Sequence, residues 1–207
     1  MVIVFTRAPV AGRVKTRLAA SLGAERAARL HERLTAAALA TALAARCGPV
    51  EVHATANHAW LLQLCRKSGV VLRLQKGKDL GERMAKATRA ALRRAPFVLL
   101  VGADSPELTP RALRRAARWL AGGAGAVLAP ARDGGYAMVG LRRPADFVFR
   151  AMPWGSERVY GETAKRLKDC GWRLRVLEAV SDVDRPEDLA RVRALRLLSA
   201  ARRCARR

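Results

Sequence analysis

Three cationic side chains lie close together near the start of the chain, at Arg13, Lys15 and Arg17. Arginine presents a planar fork of donors and lysine a compact positive charge, so both bind phosphate groups well. Pro9 and Gly12 predict a turn just before them, although neither the Walker pattern nor the G-x-G-x-x-G pattern is present. The segment therefore predicts a phosphate-binding loop of another kind. The alternative is a chance cluster in an arginine-rich chain.

An acidic residue, Asp104, follows a continuous apolar run at residues 97–101 that predicts a buried strand. Ligands of open α/β sheets bind at the carboxyl ends of strands. A carboxylate in that position can hold Mg²⁺ against the phosphates of a nucleotide, and we predict this role for Asp104. In the alternative, Asp104 or Ser105 only caps the turn that precedes Pro106.

Residues 131–160 are rich in glycine, proline and aromatic side chains, and they interrupt an otherwise regular pattern of strands and helices. Such an irregular insertion is a typical place for a binding site, here for an acceptor. Paired glycines let a backbone approach a ligand, and an aromatic ring can stack on it or donate a hydrogen bond. The residues predicted to bind the acceptor are Gly134, Gly135, Tyr136 and Trp154, with Asp133 as a catalytic group. A plain glycine turn and a buried structural tryptophan are the alternatives.

Two aspartates near the end of the chain could supply a second metal ligand. Asp182 and Asp184 alternate on a segment predicted to be extended, so their side chains point to opposite sides and only one reaches the metal. Asp184, or alternatively Asp182, is the predicted ligand beside Asp104. Capping of a helix that begins at Pro186 explains Asp184 about equally well.

Residues 77–84 predict a loop that closes over a ligand before the next helix begins. This loop and the end of the first strand complete the predicted nucleotide site. That site comprises Arg7, Pro9, Gly12, Arg13, Lys15, Arg17, Gly81 and Arg83. We assign no catalytic role to the three histidines, which fall on predicted helix or strand positions without partners: His31, His53 and His58.

These segments are connected by strands that alternate with helices along the whole chain. Apolar runs and alternating patterns predict strands at residues 2–5, 50–55, 70–74, 97–101, 126–129, 135–141 and 173–177. Helical spacing, with glycine and proline at the ends, predicts helices at residues 24–46, 58–68, 81–94, 110–120, 157–170 and 186–198. The alternation predicts a doubly wound α/β fold.

Composition sets limits on the class of protein. The chain has 207 residues, of which 51% are hydrophobic and 28% charged, as in a globular domain. We expect one domain over residues 1–207, with a nucleotide-binding half at about 1–110, an acceptor half at about 111–199 and a basic tail at 200–207. No charge-free apolar stretch reaches about 18 residues, so we expect no membrane span. Scattered cysteines and the lack of a signal peptide indicate a cytoplasmic location.

The net charge of +23 is large for a chain of this size. A field of this strength attracts polyanions such as nucleic acid or polyphosphate. The basic residues are spread along the whole chain, however, and aromatic residues, which stack on bases, make up only 5% of it. Non-specific polyanion binding is compatible with this charge, and a polyanion- or RNA-binding module is the non-enzymatic alternative.

Taken in order, several segments resemble a bacterial family of nucleotide-diphospho-sugar-transferase-like proteins. This is the DUF2064 or radical-SAM/selenodomain-associated transferase 1 family, which is linked by name to arsenosugar biosynthesis glycosyltransferases. The matching segments are A-P-V-A-G-R-V-K-T-R-L at 8–18, D-L-G-E-R-M at 79–84, G-A-D-S-P-E-L at 102–108, D-G-G-Y-A-M-V-G-L at 133–141 and D-V-D-R-P-E-D-L at 182–189. The chain is also similar to phospholactate and molybdenum-cofactor guanylyltransferases, which share the glycosyltransferase-A type of fold.

The resemblance implies a single glycosyltransferase-A-like domain, a Rossmann-like three-layer αβα sandwich with a seven-stranded, mostly parallel mixed sheet. It also implies a nucleotide in the N-terminal half, phosphates on the three cations of residues 13–17, and Mg²⁺ or Mn²⁺ on Asp104. Glycosyltransferases of this fold commonly hold the metal with an Asp-x-Asp pair, whereas here Ser-Pro follows Asp104. A second carboxylate would then come from Asp182 or Asp184.

Two reactions fit these residues. In glycosyl transfer, the hydroxyl of a small-molecule acceptor near residues 133–136 attacks the sugar of a nucleotide sugar, and the metal neutralises the departing nucleoside diphosphate. In nucleotidyl transfer, a small phosphorylated acceptor attacks a nucleoside triphosphate and pyrophosphate leaves. Three cations in the first loop fit the triphosphate slightly better. The resemblance favours glycosyl transfer, and a homodimer is one alternative for the oligomeric state.

Overall fold

Seven strands form one mixed sheet in the computed structural model of the protein, which describes residues 1–190. The strands are β1 (Val2–Thr6), β2 (Val50–Ala54), β3 (Val71–Leu74), β4 (Val98–Gly102), β5 (Ala126–Pro130), β6 (Tyr136–Leu141) and β7 (Leu174–Val176). Their order across the sheet is β3-β2-β1-β4-β6-β5-β7. Neighbouring strands are parallel except for the two pairings made by β6, which runs in the opposite direction. The predicted α/β fold with a mostly parallel mixed sheet is confirmed.

Helices cover both faces of this sheet. Within the described residues they are α1 (Thr16–Leu22), α2 (Ala24–Ala45), α3 (Ala59–Ser68), α4 (Leu80–Leu92), α5 (Pro110–Ala121) and α6 (Val159–Asp169). Apolar side chains of α2, α3 and α5 pack with Val4 and Val101 on one face. Those of α4 and α6 pack with Ile3 and Leu100 on the other. Strands that are apolar on both sides are thereby buried in a three-layer sandwich, as predicted.

The sequence predicts no helix at α1, and here the structure differs. Its seven residues are too few to show a clear helical period, and the cations around it favour a loop. The helix begins after Lys15, whose backbone is left-handed with φ 48°. Leu18 on its inner side packs against α2 and Val183. This packing holds the preceding loop at the edge of the sheet.

A buried acidic residue, Glu51, connects β2 to β3 and to the end of α4. Its carboxylate is only 5% exposed and accepts hydrogen bonds from Arg94 Nη1 at 2.6 Å and from Arg73 Nε at 3.0 Å. His53 Nε2 also lies 3.0 Å from it, so this histidine does have a partner. Burial alone would raise the pKa of Glu51, but these partners lower the pKa to about 2. The carboxylate is therefore charged at neutral pH.

At the end of the described chain, the alternative that Asp184 caps the last helix is wrong, because Arg185 holds the N-cap position. The backbone N–H groups of Asp184 and Arg185 instead donate to Asp188, at 3.0 and 2.8 Å. The Asp184 carboxylate accepts a hydrogen bond from Lys15. Its side chain is therefore engaged with the first loop rather than with the 3₁₀ turn at Pro186–Asp188.

Two further expectations concern the C-terminal residues and membrane spans. Most of the helix predicted at residues 186–198 lies outside the described residues, as does the basic tail at 200–207. None of the helices in residues 1–190 combines the length and the apolar character that a membrane span requires.

Candidate active site

A cleft lies along the edge of the sheet where β1 to β4 end, which is where open α/β sheets bind their ligands. Because β6 runs against its neighbours, the connection from β5 to β6 reaches the same edge. The cleft has a larger compartment of about 620 Å³ and a smaller one of about 240 Å³. The residues that line both compartments are Phe5, Leu80, Ala103 and Asp104.

The larger compartment is basic. Arg7 and Arg13 line it from the loop after β1, and Arg83 lines it from the first turns of α4. Arg83 Nε donates to the carbonyl of Gly77 at 3.0 Å, which holds that turn beside the cleft. Within the part of the chain that the structure describes, no carboxylate pairs with Arg7 or Arg13. Their charges are therefore available to an anionic ligand.

Lys15 is the buried cation of the site. Its side chain is only 3% exposed, and its ammonium lies 2.6 Å from Asp104 and 2.9 Å from Asp184. Burial alone would lower the pKa of Lys15, but the two carboxylates raise it above its usual value. The three predicted phosphate ligands thus diverge. Lys15 binds carboxylates, Arg13 faces the larger compartment, and Arg17 is exposed and lines neither compartment.

Asp104 stands where the two compartments meet, directly after β4. Its carboxylate is 41% exposed and is the acidic group closest to both Lys15 and His31. Burial would raise the pKa of Asp104, but these two neighbours hold the pKa well below its usual range. Asp104 is therefore an ionised carboxylate that faces the cleft on one side and a buried cation on the other.

The sequence predicts no partners for His31, and the structure corrects this. Its Nδ1 lies 3.6 Å from Asp104 Oδ1, and its Nε2 lies 3.1 Å from both Thr6 Oγ1 and the carbonyl of Arg7. These partners are 24 or more residues away in sequence, so no local pattern shows them. The available signal was a histidine on the apolar face of α2, where Leu30 is also buried.

The smaller compartment is lined mainly by apolar and aromatic groups. The rings of Tyr136 and Trp154 meet edge to face, with centroids 6.3 Å apart and an interplanar angle of 74°. Asp133 and Asp182 line the same compartment and are its charged groups besides Asp104. An apolar wall with a few carboxylates suits a small polar molecule that packs one face against the rings.

The Tyr136 hydroxyl does not face this compartment. It is buried beside Thr163, and burial raises the pKa of Tyr136 above its usual value. The sequence left open whether this ring stacks on a ligand or donates a hydrogen bond to it. The buried hydroxyl leaves only the ring for contact.

Gly134 allows a close contact with the backbone of Glu157 rather than with a ligand. Its φ is 90°, and an added Cβ would lie 2.2 Å from the Cα of Glu157. The N–H of Tyr160 donates to its carbonyl at 2.8 Å. Asp133 Oδ1 accepts from the N–H of Gly135 at 2.9 Å, so the paired glycines form a turn that orients the Asp133 carboxylate.

Gly81 also serves a close contact within the protein. An added Cβ would lie 2.2 Å from the carbonyl oxygen of Phe149 and 3.1 Å from Trp154 Nε1. The glycine therefore lets α4 lie directly against the segment that carries Trp154. It does not line either compartment of the cleft.

Asp182 and Asp184 approach Asp104 from two sides. Asp182 lines the smaller compartment and accepts a hydrogen bond from Ser105. Burial raises the pKa of Asp182, and the neighbouring carboxylates of Asp104 and Asp133 add to this, giving a pKa of about 6. Asp184 instead contacts Lys15, behind Asp104.

The carboxylates of Asp104 and Asp182 suit a divalent ion whose coordination is completed by oxygens of a bound ligand and water. Within residues 1–190, no group of three acidic, histidine or cysteine side chains is arranged to hold a metal ion by itself. Magnesium in nucleotide sites commonly uses one or two carboxylates and takes its other oxygens from phosphates and water. Asp104 and Asp182 meet that smaller requirement, since both carboxylates line the smaller compartment. The charge of Asp104 also adds to the burial that raises the pKa of Asp182.

The predicted site residues fall into three groups. Those that line the cleft are Arg7, Arg13, Arg83, Asp104, Asp133, Gly135, Tyr136, Trp154 and Asp182. Lys15 and Asp184 lie behind Asp104. The remaining predicted residues, which also line neither compartment, are Pro9, Gly12, Arg17, Gly81 and Gly134.

The fold is that of nucleotide-diphospho-sugar transferases and nucleotidyltransferases. The chain is 28% identical to a candidate nucleotide-diphospho-sugar transferase from Desulfovibrio desulfuricans, with a TM-score of 0.84 over 98% of this chain and 89% of that one. A nucleotidyl transferase from Methanothermobacter thermautotrophicus is 18% identical, with a TM-score of 0.63 over 96% of this chain and 98% of that one. A mannosyltransferase from Pyrobaculum calidifontis, in complex with GDP-mannose and Mn²⁺, is 17% identical, with a TM-score of 0.50 over 95% of this chain and 61% of that one. The last two likenesses concern the fold alone.

The chain belongs to the DUF2064 family, described as an uncharacterized protein conserved in bacteria, which it matches over residues 25–156. The family predicted from the sequence motifs is thereby confirmed. The basic loop at 8–18 and the acidic segment at 182–189 lie outside the matched residues. No curated protein matches the chain in sequence.

Proposed function

We propose that this protein is a metal-assisted transferase that moves a sugar from a nucleotide sugar to a hydroxyl of a small acceptor. The observation that carries the proposal is the position of Asp104, which lines both compartments of the cleft. A donor with its nucleotide in the larger compartment would present its sugar–phosphate bond beside Asp104. The acceptor would then enter from the smaller compartment. The fold shared with nucleotide-dependent transferases supports this general class.

The larger compartment has the size and charge for a nucleotide. Its volume of about 620 Å³ lies within the usual range for small-molecule sites. Arg7 and Arg13 would bind the phosphates, since neither is paired with a carboxylate in the described part of the chain. Lys15 would act from behind Asp104, where its fixed charge lowers the energy of negative charge that develops on the leaving phosphate.

The acidic groups would bind the metal and accept a proton. Asp104 and Asp182 would hold Mg²⁺ or Mn²⁺, which when bound supplies positive charge to the departing nucleoside diphosphate. Asp133, exposed at the rim and oriented by Gly135, would accept the proton of the acceptor hydroxyl. Trp154 and the ring of Tyr136 would form the wall against which the acceptor packs.

A second candidate is nucleotidyl transfer. The observation that favours it is the set of three arginines that line the larger compartment, whose combined charge suits a triphosphate. An oxygen of a small phosphorylated acceptor would attack the α-phosphorus of a nucleoside triphosphate, and pyrophosphate would leave with the electrons of the broken P–O bond. In both reactions the phosphates of the donor would lie in the larger compartment and the acceptor in the smaller one. The two reactions therefore differ in the donor.

The test is a thermal-shift and calorimetric screen of nucleotide sugars and nucleoside triphosphates, each with and without Mn²⁺, on the wild type and on Asp104→Asn. A metal-dependent shift with a nucleotide sugar that disappears in the variant supports sugar transfer. The same result with triphosphates alone supports nucleotidyl transfer. No metal-dependent shift with any compound contradicts both. Binding with a steep salt dependence that Asp104→Asn leaves unchanged would favour the polyanion-binding alternative.

A further inference from the structure

Gln75 lies in the larger compartment and is held in one orientation by the strand ends. Its backbone N–H, directly after β3, donates to the carbonyl of Ala54 at 2.9 Å. Its side-chain Nε2 donates to the carbonyl of Thr6 at 2.8 Å and to that of His53 at 2.9 Å. Thr6 ends β1, and His53 is next to the end of β2. The amide therefore spans the carboxyl ends of three neighbouring strands.

This arrangement leaves the side chain of Gln75 with one free polar atom, Oε1. The amide nitrogen carries two hydrogens, and the two carbonyls use both of them. The opposite orientation would place the amide oxygen against two carbonyl oxygens, so the positions of oxygen and nitrogen follow from the contacts. Oε1 is not buried, and no donor reaches it within residues 1–190. Gln75 therefore offers the compartment an acceptor and no donor.

An acceptor of this kind selects among the parts of a nucleotide. Phosphate oxygens are themselves acceptors and would be repelled, so the phosphates belong with Arg7 and Arg13. A nucleobase, in contrast, carries amino or ring N–H donors on its edge. We propose that Gln75 reads the base of the nucleotide donor by accepting a hydrogen bond from such an N–H group. This inference rests on the proposed function, because it requires a nucleotide in the larger compartment.

The preorganisation of Gln75 makes it a specificity residue rather than a general contact. Because the amide cannot rotate without losing two hydrogen bonds, it cannot offer its N–H groups to a base that presents an acceptor instead. A bound base with the wrong edge would exclude water from Oε1 without donating a hydrogen bond to it, which costs binding free energy. The base preference of the protein is therefore set in part at this position.

The test measures dissociation constants by calorimetry for GDP, ADP, CDP and UDP with Mn²⁺. The proteins are the wild type, Gln75→Met, which keeps the side-chain length, and Arg13→Ala, which removes a phosphate ligand. We expect the ratio between the weakest and the strongest base to fall about tenfold in Gln75→Met. Arg13→Ala should weaken all four nucleotides by a similar factor and keep the ratio. An unchanged ratio in Gln75→Met, including equal weakening of all four as expected from a contact to ribose, overturns the proposal.

A second measurement keeps the protein unaltered, because Gln75→Met also removes two bonds between strand ends and can fail to fold. The best-binding nucleotide is compared with its analogues that lack an edge donor. These are inosine and 1-methylguanosine for guanosine, purine riboside for adenosine, pyrimidin-2-one riboside for cytidine and 3-methyluridine for uridine, all as diphosphates. We expect at least one analogue of the best-binding nucleotide to bind about tenfold more weakly than the nucleotide itself. If every analogue binds as tightly as the nucleotide, the proposal is overturned. If the wild type binds none of the four nucleotides, the proposed function itself fails.

Discussion

The ammonium of Lys15 lies 2.6 Å from the carboxylate of Asp104, at the junction of the two compartments. The lysine side chain is 3% exposed whereas that of Asp104 is 41% exposed, so the cation is buried behind a carboxylate that faces the cleft. The same ammonium binds Asp184 at 2.9 Å. A single buried cation thus pairs with two acidic groups and connects the loop before α1 to the end of β4.

Replacing Asp104 should separate activity from stability. In Asp104→Asn, Lys15 keeps its bond to Asp184, so we expect the thermal midpoint of unfolding to stay within a few degrees of the wild type. Turnover should fall by about 100-fold or more, because the charged group at the junction is lost. Initial rates and thermal unfolding check this. The matched control is Asp169→Asn, an exposed carboxylate on α6 paired with Lys165, which should leave both quantities unchanged. Substantial activity in Asp104→Asn would remove Asp104 from the mechanism.

Replacing Lys15 should make the protein respond more strongly to metal. In Lys15→Met, Asp104 and Asp184 lose their shared counter-ion. Because both carboxylates are partly exposed to solvent, we expect the free energy of unfolding to fall by about 1–3 kcal/mol, less than for a fully buried pair. A divalent ion can compensate for that charge, so Mn²⁺ should raise the thermal midpoint of the variant more than that of the wild type. Thermal unfolding with and without Mn²⁺ measures the difference. Equal shifts in the two proteins would show that the metal does not bind near this pair.

The two aromatic residues of the smaller compartment should respond differently to substitution. Trp154→Ala removes a wall of the compartment, and we expect the KM for the acceptor to rise about tenfold with little change in the KM for the donor. Tyr136→Phe keeps the ring and removes a hydroxyl that is buried beside Thr163, so its kinetics should match the wild type. Steady-state kinetics with both substrates varied provide the measurement. A large loss in Tyr136→Phe would mean that the hydroxyl takes part after all.

Gly134→Ala should destabilise the protein far more than a backbone conformation alone can explain. The new Cβ would lie 2.2 Å from Glu157, whereas at Gly12, whose φ of 76° is similarly positive, it would meet nothing within 4 Å. The backbone strain costs about 1–3 kcal/mol at either position. We therefore expect Gly12→Ala to fold with a modest loss of stability and Gly134→Ala to be mostly unfolded. Denaturant unfolding of the two variants compares them, and similar stabilities would contradict the packing described for the 133–136 turn.

The Glu51 cluster should make stability depend on pH in acid. The pKa of Glu51 is lowered from 4.5 to about 2 on folding. Its contribution is therefore complete above pH 4.5 and is lost as the pH falls toward 2. Because Arg73 and Arg94 are partly exposed and screened, we expect this contribution to be about 2–3 kcal/mol. The difference in unfolding free energy between the wild type and Glu51→Gln, measured by urea denaturation, should shrink across that pH window. A constant difference would contradict the assignment.

The sheet could be predicted from local patterns, because each strand carries its own signal. The apolar run at 97–101 predicts β4 to within one residue, and its burial on both faces follows from the same run. The position of Asp104 at the edge of the sheet follows in turn, since it comes directly after that strand. Such features depend on residues that are neighbours in sequence, so a single sequence contains them.

The contacts across the cleft could not be predicted, because they join distant parts of the chain. Lys15 and Asp184 are 169 residues apart. His31, which also contacts Asp104, does so only because α2 packs beside β1 and β4. Gln75 is one residue beyond a short edge strand, and nothing in its sequence neighbours indicates that both amide hydrogens are used. Many residues that line the cleft can be predicted from the sequence. Which of their side chains contact each other is determined by the fold.

The reversed direction of β6 has a consequence for how relatives of this protein can diverge. It brings the turn before β6, at residues 133–136, to the same edge of the sheet as the loops after β1 to β4, and residues 154–159 reach the same cleft. Both belong to a stretch of chain separate from those loops. The larger compartment is built from residues 5–104, and most of the smaller one comes from later residues. Under the proposed function, substitutions or insertions in the later stretch would therefore change the acceptor while the residues that bind the nucleotide donor stay the same.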